Sequence, residues 1–223
     1  MGVVVKQSIK GTIVNYLGVA IGAFTTFFIL TRYLTAEEVG LTRVLVEAAT
    51  LLSGLSQLGT SASILRYYPY FKDEKNKDNG FFFWSIVIPL IGFALFSLVY
   101  VILKTPITSY FAEKSELFNS FYFYVLPLAF FLLYVTVFEA NANVLLRIVV
   151  PKFVREVLVR VLSLGCYLIY AFRLISLEGF VIAFCGVYAV AMIIDIVYLF
   201  RLGKISIRPN YAFLAPEIKR NYL

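Results

Sequence analysis

At 223 residues, with 61% hydrophobic and only 15% charged side chains, the chain departs from soluble domains, which carry about 25% charged residues. Its mean hydropathy is +0.87, and the complete absence of histidine removes the commonest metal ligand and the commonest general acid or base at neutral pH. The net charge of +7 does not point to nucleic acid, because no stretch between the apolar runs is long enough to fold into a basic groove.

A helix that crosses a bilayer needs roughly 20 apolar residues, and six segments of the chain meet that length. The N-terminus, MGVVVKQSIK, has a short apolar patch but no small-residue cleavage site, so no removable signal peptide is expected. The first span, 12–31, is uncharged and holds Asn15 and a GxxxG pair, Gly18 and Gly22, that permits close helix approach. RYLTAEEVG (32–40) follows as a charged turn. The second span, 41–65, carries Arg43 and Glu47 and is rich in small residues from Ser53 to Ser61. KDEKNKD (72–78) reads as a solvated loop.

The third and fourth spans, 81–103 and 117–138, contain no charge. Their FFFW (81–84) and FYFY (121–124) clusters lie near span ends, where interfacial aromatic belts form. The fifth span, 153–172, lies behind Pro151 and contains Arg155, Glu156 and Arg160. Glu156 stands four residues before Arg160, the favourable order for a helical ion pair. The sixth span, 179–200, contains Asp195, and Cys166 and Cys185 read as small buried apolar residues. Segments this long and continuously apolar choose helix, since a helix satisfies its own backbone hydrogen bonds in hydrocarbon and a barrel strand runs only about 10 residues. The expected fold is an all-α membrane protein, a six-transmembrane-helix bundle.

Lys and Arg set the orientation. Fifteen of the twenty fall on one side, including Arg147, Lys152, Arg155 and Arg160; four fall on the other, and Arg43 lies within a span. Both ends of the chain are therefore expected in the cytoplasm. No GxSxG, P-loop, GxGxxG, CxxC or HExxH pattern occurs, so neither a cofactor, a metal nor enzymatic chemistry is expected. The tail after the sixth span ends in APEIKRNYL, where Pro216 and Glu217 suit the first turn of a further helix.

Four stretches, in order and spacing, resemble a known family. They are KQSIKGTIVNYLGVAIGAFTTFFILTRYLTAEEVGL (6–41), SQLGTSASILRYYPYF (56–71), LLRIVVPKFVREVLVRVL (145–162) and SLEGFVIAF (176–184). The chain resembles the multidrug/oligosaccharidyl-lipid/polysaccharide exporter superfamily, and within it the bacterial polysaccharide-biosynthesis (O-antigen type) flippases. The resemblance implies half of a two-lobe alternating-access transporter of the bacterial inner membrane. Residues 1–202 would form the N-terminal six-helix lobe, and residues 203–223 a cytoplasmic linker towards a second lobe. The implied cargo is a polyprenyl-diphosphate-linked oligosaccharide received in a cationic cavity. The implied partners are that glycolipid, membrane lipid and a second lobe, with no nucleic acid.

Within that frame, Arg43 and Glu47 share one helix face and read either as a pair snorkelled to the interface or as a cavity-facing pair. Arg32, at a helix end, is interfacial or substrate-facing. Arg147 and Arg160 flank the Pro151 hinge, as lipid anchors or as the first contacts of a diphosphate. Asn15 offers a hydrogen bond to sugar or to a neighbouring helix. Asp195, a carboxylate deep in a span, is a candidate for ion coupling or a structural partner of a distant cation. Two other functions remain in view. A drug antiporter of the same superfamily would be expected to use an acid in the first span, where only Asn15, Thr25 and Thr26 stand. A polymerase or ligase acting on the same glycolipid would need acid–base residues outside the membrane, and 104–116 offers Glu113 and Glu116.

Overall fold

The computed structural model describes residues 3–72, 78–111, 116–203 and 205. Helices account for nearly all of them, and no strand occurs among the described residues. Helix α1 (Val3–Phe24) passes through a π-helical segment (Thr25–Leu30) into α2 (Thr31–Tyr33). Then follow α3 (Ala36–Ser56), α4 (Thr60–Phe71), α5 (Phe81–Ile102), α6 (Lys104–Phe111) and α7 (Glu116–Ser120). A 3-10 turn (Tyr122–Tyr124) leads into α8 (Val125–Val144). Next, α9 (Val149–Phe153), a second π segment (Val154–Leu158) and α10 (Val159–Ala171) form one continuous helical run. Helix α11 (Leu177–Arg201) completes the described fold.

Five of these runs are long and apolar enough to cross a membrane: Gln7–Tyr33, Ala36–Ser56, Phe81–Ile102, Tyr122–Val144 and Leu177–Arg201. The run 149–171 is as long, but it carries Lys152, Arg155, Glu156 and Arg160. The protein is a polytopic all-α membrane protein.

Local chemistry moves several boundaries away from those read by hydropathy. Helix α3 starts at Ala36 rather than Leu41, because Thr35 and Glu38 form a capping box: Thr35 N donates to Glu38 Oε2 at 2.8 Å and Glu38 N donates to Thr35 Oγ1 at 3.3 Å. The expected second span, 41–65, does not run through. It breaks after Ser56, where Leu58 (φ 48°) and Gly59 (φ 75°) adopt left-handed conformations that a helix interior excludes, and α4 begins anew at Thr60. The expected fourth span, 117–138, extends to Val144 and so takes in a charge, Glu139, that lay just beyond its predicted end. The stretch 104–116 is partly helix α6 rather than loop.

The loop reading of KDEKNKD changes at its last residue. Asp78 is fully buried and accepts a 2.7 Å hydrogen bond from Phe82 N, satisfying a donor at the start of α5. Residues 73–77 and 206–223, including the helix start expected at Pro216, lie outside the described residues.

The core is built around α8. Leu41, Leu45, Ala49 and Leu52, a helical stripe on α3, join Val125, Leu128 and Ala129 of α8 and Phe180 and Phe184 of α11 in one buried cluster. Ile64 and Tyr68 of α4 meet Phe82 of α5 and Leu133 and Phe138 of α8 in a second. The two aromatic clusters divide: Phe82, Phe121 and Tyr122 are buried in this core, whereas Phe81, Phe83, Trp84 and Tyr124 are half-buried and Phe123 is exposed. Tyr122 stacks on Tyr100 at 4.3 Å and 8°. Each hydroxyl donates to the other residue's carbonyl, at 2.7 Å and 3.2 Å, which ties the end of α5 to the start of α8.

The flank formed by α1 and the run 149–171 packs differently. A Cβ at Gly18 would lie 2.5 Å from the Glu156 carbonyl oxygen, and one at Gly22 would meet the Arg160 guanidinium. The GxxxG pair is thus the surface on which α1 approaches the second π segment at backbone distance. At the other end of α1, Gln7 accepts a 3.1 Å hydrogen bond from Ile148 N and donates to the Leu146 carbonyl, holding the α8–α9 turn.

Candidate functional site

A cleft of about 260 Å³ opens between the π segment after α1 and helices α3, α10 and α11. Its polar lining consists of Thr25 and Thr26; Thr42, Arg43 and Glu47; Arg160, Ser163 and Tyr167; and Tyr188. The spacing explains the convergence. Arg43 and Glu47 are one turn apart on α3, and Arg160, Ser163 and Tyr167 (i, i+3, i+7) share one face of α10. The first π segment lines the cleft and the second ends one residue before Val159, which also lines it; such segments recur at functional sites.

With α3 beginning at Ala36, Arg43 lies about 10 Å along the helix rather than at its mouth. Arg160 stands near the midpoint of the run 149–171, rather than at the Pro151 end. A central arginine costs roughly 2.5–3.5 kcal/mol on insertion scales, which favours a partner or an aqueous cavity. Arg160 has both: it donates to Glu156 Oε2 at 3.1 Å, the helical pair its spacing foretold, and it reaches the cleft. Arg43 and Glu47 do not form an ion pair among the described residues; both side chains are exposed to the cleft. Arg43 lies within electrostatic reach of the Tyr167 hydroxyl, and Arg160 within reach of Tyr188. At the N-terminal end of α3, Tyr170 donates to Glu38, joining α10 to α3 beside the capping box.

A second cavity, of about 810 Å³, shares Arg43 and Glu47 with the cleft but is otherwise almost wholly apolar. It runs along α3 from Arg43 to Leu55 against Phe96, Val99 and Tyr100 of α5 and Leu103 just past its end. The twelve helical steps from Arg43 to Leu55 span about 18 Å, more than half of the roughly 30 Å hydrocarbon layer.

The remaining sequence candidates lie elsewhere. Asn15 is exposed on α1, outside the cleft. Arg32 is exposed at the end of α2, 5.9 Å from the Tyr33 ring. Arg147 is exposed at the α8–α9 turn. Asp195 is fully buried on α11, and neither of its carboxylate oxygens has a hydrogen-bond partner among the described residues. Ser163, Tyr167 and Tyr188 were not singled out from the sequence, although a helical wheel through Arg160 places the first two on its face. Glu139 was missed because it lay one residue past the predicted span. It accepts a 2.7 Å bond from Arg155, which also donates to Glu156 at 3.3 Å. Among the described residues no group of three or more His, Cys, Asp or Glu is gathered to hold a metal.

Arg43, Glu47 and Arg160 thus converge on one polar cleft inside a multi-pass membrane protein. The family model described as polysaccharide biosynthesis protein matches residues 8–221, and the chain belongs to that family. The match covers all but the first two residues of the four resembling stretches, and it ties the protein to polysaccharide synthesis and export. The family is generally of transporter or flippase type. No curated protein and no solved structure matches the chain significantly.

Proposed function

We propose that the protein moves a polyprenyl-diphosphate-linked oligosaccharide from the cytoplasmic to the periplasmic leaflet of a bacterial inner membrane. A single observation supports this reading best: Arg43 and Glu47 stand on the border between a polar, tyrosine-lined cleft and an apolar groove. That layout suits an amphiphile. Arginine makes strong charge-assisted bonds to phosphate, so a diphosphate meets Arg43 and Arg160 while the cleft's hydroxyls receive sugar and part of the hydrocarbon tail lies along α3. A diphosphate sugar has no unaided path through about 30 Å of hydrocarbon. The lysine and arginine bias supports cytoplasmic chain ends, and a cleft that opens to the surface of the bundle supports alternating access against a second lobe.

The test is complementation of a flippase-deficient strain by the full-length protein, comparing wild type with Arg43→Ala and Arg43→Lys. Surface glycan is expected to fall at least about tenfold for Arg43→Ala, equivalent to losing about 1.4 kcal/mol, with partial retention for Arg43→Lys. Full export by both variants would remove Arg43 from the site.

A further inference from the structure

Asp195 is the one anomaly the cleft does not absorb. It has no exposed surface and both carboxylate oxygens are without partners among the described residues. An uncompensated carboxylate in such a place is strongly unfavourable. The surroundings deepen the problem. On α8, Val135 and, one turn on, Glu139 point towards the same side as Ala191 and Asp195 of α11, and Val154 and Arg155 approach from the second π segment.

Among the described residues, two charged groups act on Asp195. Glu139 comes from α8 and Arg155 from the π segment; the two are paired at 2.7 Å. Arg155 also contacts Glu156, which holds Arg160 of α10. Lys152 of α9 is turned to Gly11 of α1, and Arg201 is exposed at the end of α11. The two arginines are matched by Glu139 and Glu156, so one positive charge is missing at Asp195.

We propose that Asp195 and Glu139 form a binding site for one monovalent cation, a proton or sodium ion, and that its occupancy is transmitted to the cleft. The route is the chain of ion pairs. A cation held by Asp195 and Glu139 competes with Arg155 for Glu139. Arg155 then turns to Glu156, and Glu156 releases Arg160. A free Arg160 binds an anionic group in the cleft more tightly, so cation and anion bind cooperatively, each raising the other's affinity by the same factor. The inference about the cleft rests on the proposed function; the cation site does not.

The experiment uses the full-length protein in nanodiscs. It measures binding of a short-chain prenyl diphosphate, and thermal stability, in choline buffer at pH 8, in choline at pH 6, and with sodium at pH 8. Wild-type affinity is expected to rise about fivefold or more, with stability rising in parallel because the bound cation favours the folded state. A rise with sodium at pH 8 identifies the metal ion; a rise only on going to pH 6 identifies the proton. Asp195→Asn, which holds no cation and leaves Glu139 paired with Arg155, is expected to bind at the low, cation-free level under all three conditions, and Glu139→Gln to lose most of the dependence. Wild-type stability that ignores both cations, or Asp195→Asn that keeps the full wild-type dependence, overturns the site. Cation-dependent stability without any prenyl diphosphate binding would instead sink the cargo assignment and leave the cation site standing.

Discussion

The α3–α8–α11 core and the α1–α10 flank solve the same packing problem in opposite ways. In the core, interlocked apolar stripes and the reciprocal Tyr100–Tyr122 pair join regular α-helices. In the flank, glycines admit backbone contact, charges are linked in a chain from Glu139 to Arg160, and both π segments interrupt the helices. Apolar stripes give a fixed arrangement because each side chain fills its neighbour's gap. A glycine surface with ion pairs holds two helices close while allowing charges to change partners. The cleft sits where these two regions meet, so one wall is rigid and the other adjustable.

Substitutions in the two regions should separate stability from transport. The largest effect is expected from Gly18→Leu, since the added side chain meets a backbone oxygen rather than a movable side chain. The cost should exceed the about 1–3 kcal/mol of ordinary overpacking. Proteolysis at α1 should increase sharply and export should fail; wild-type protease resistance and export would show that the glycine contact is dispensable. Next comes Leu45→Ala in the core. Because lipid replaces lost apolar contact better than water does, the expected cost is about 2 kcal/mol, the low end for such truncations. Thermal unfolding should shift down while export per folded molecule is unchanged. A transport defect at full stability would erase the distinction between the two regions. Smallest is Tyr122→Phe, which removes one hydroxyl but keeps the ring stack, at about 1 kcal/mol. Reading its melting temperature against Tyr100→Phe in a double-mutant cycle would show whether the two bonds act as a pair.

Much of this was legible beforehand where one physical rule dominates. Apolar runs near 20 residues located the spanning helices, because the bilayer leaves the backbone no other way to satisfy itself. The Glu156–Arg160 pair followed from helical spacing alone. Boundaries were less legible where a local device outweighs hydropathy: the Thr35–Glu38 cap starts α3 early, and left-handed Leu58 and Gly59 end it early. The aromatic clusters divide between core and surface because belts and cores draw on the same residues, and only burial separates them.

The amino-acid sequence by itself determined an all-α membrane protein, its family and the arginines and carboxylates available within its spans, since hydropathy and spacing act along the chain. Tertiary structure alone decided which of them meet. It brought Arg160 to Arg43 across 117 positions, kept Glu47 out of an ion pair with Arg43, and left Asp195 buried without a partner. Those outcomes depend on which helix faces oppose one another, and that is set by packing between elements rather than by any period within one.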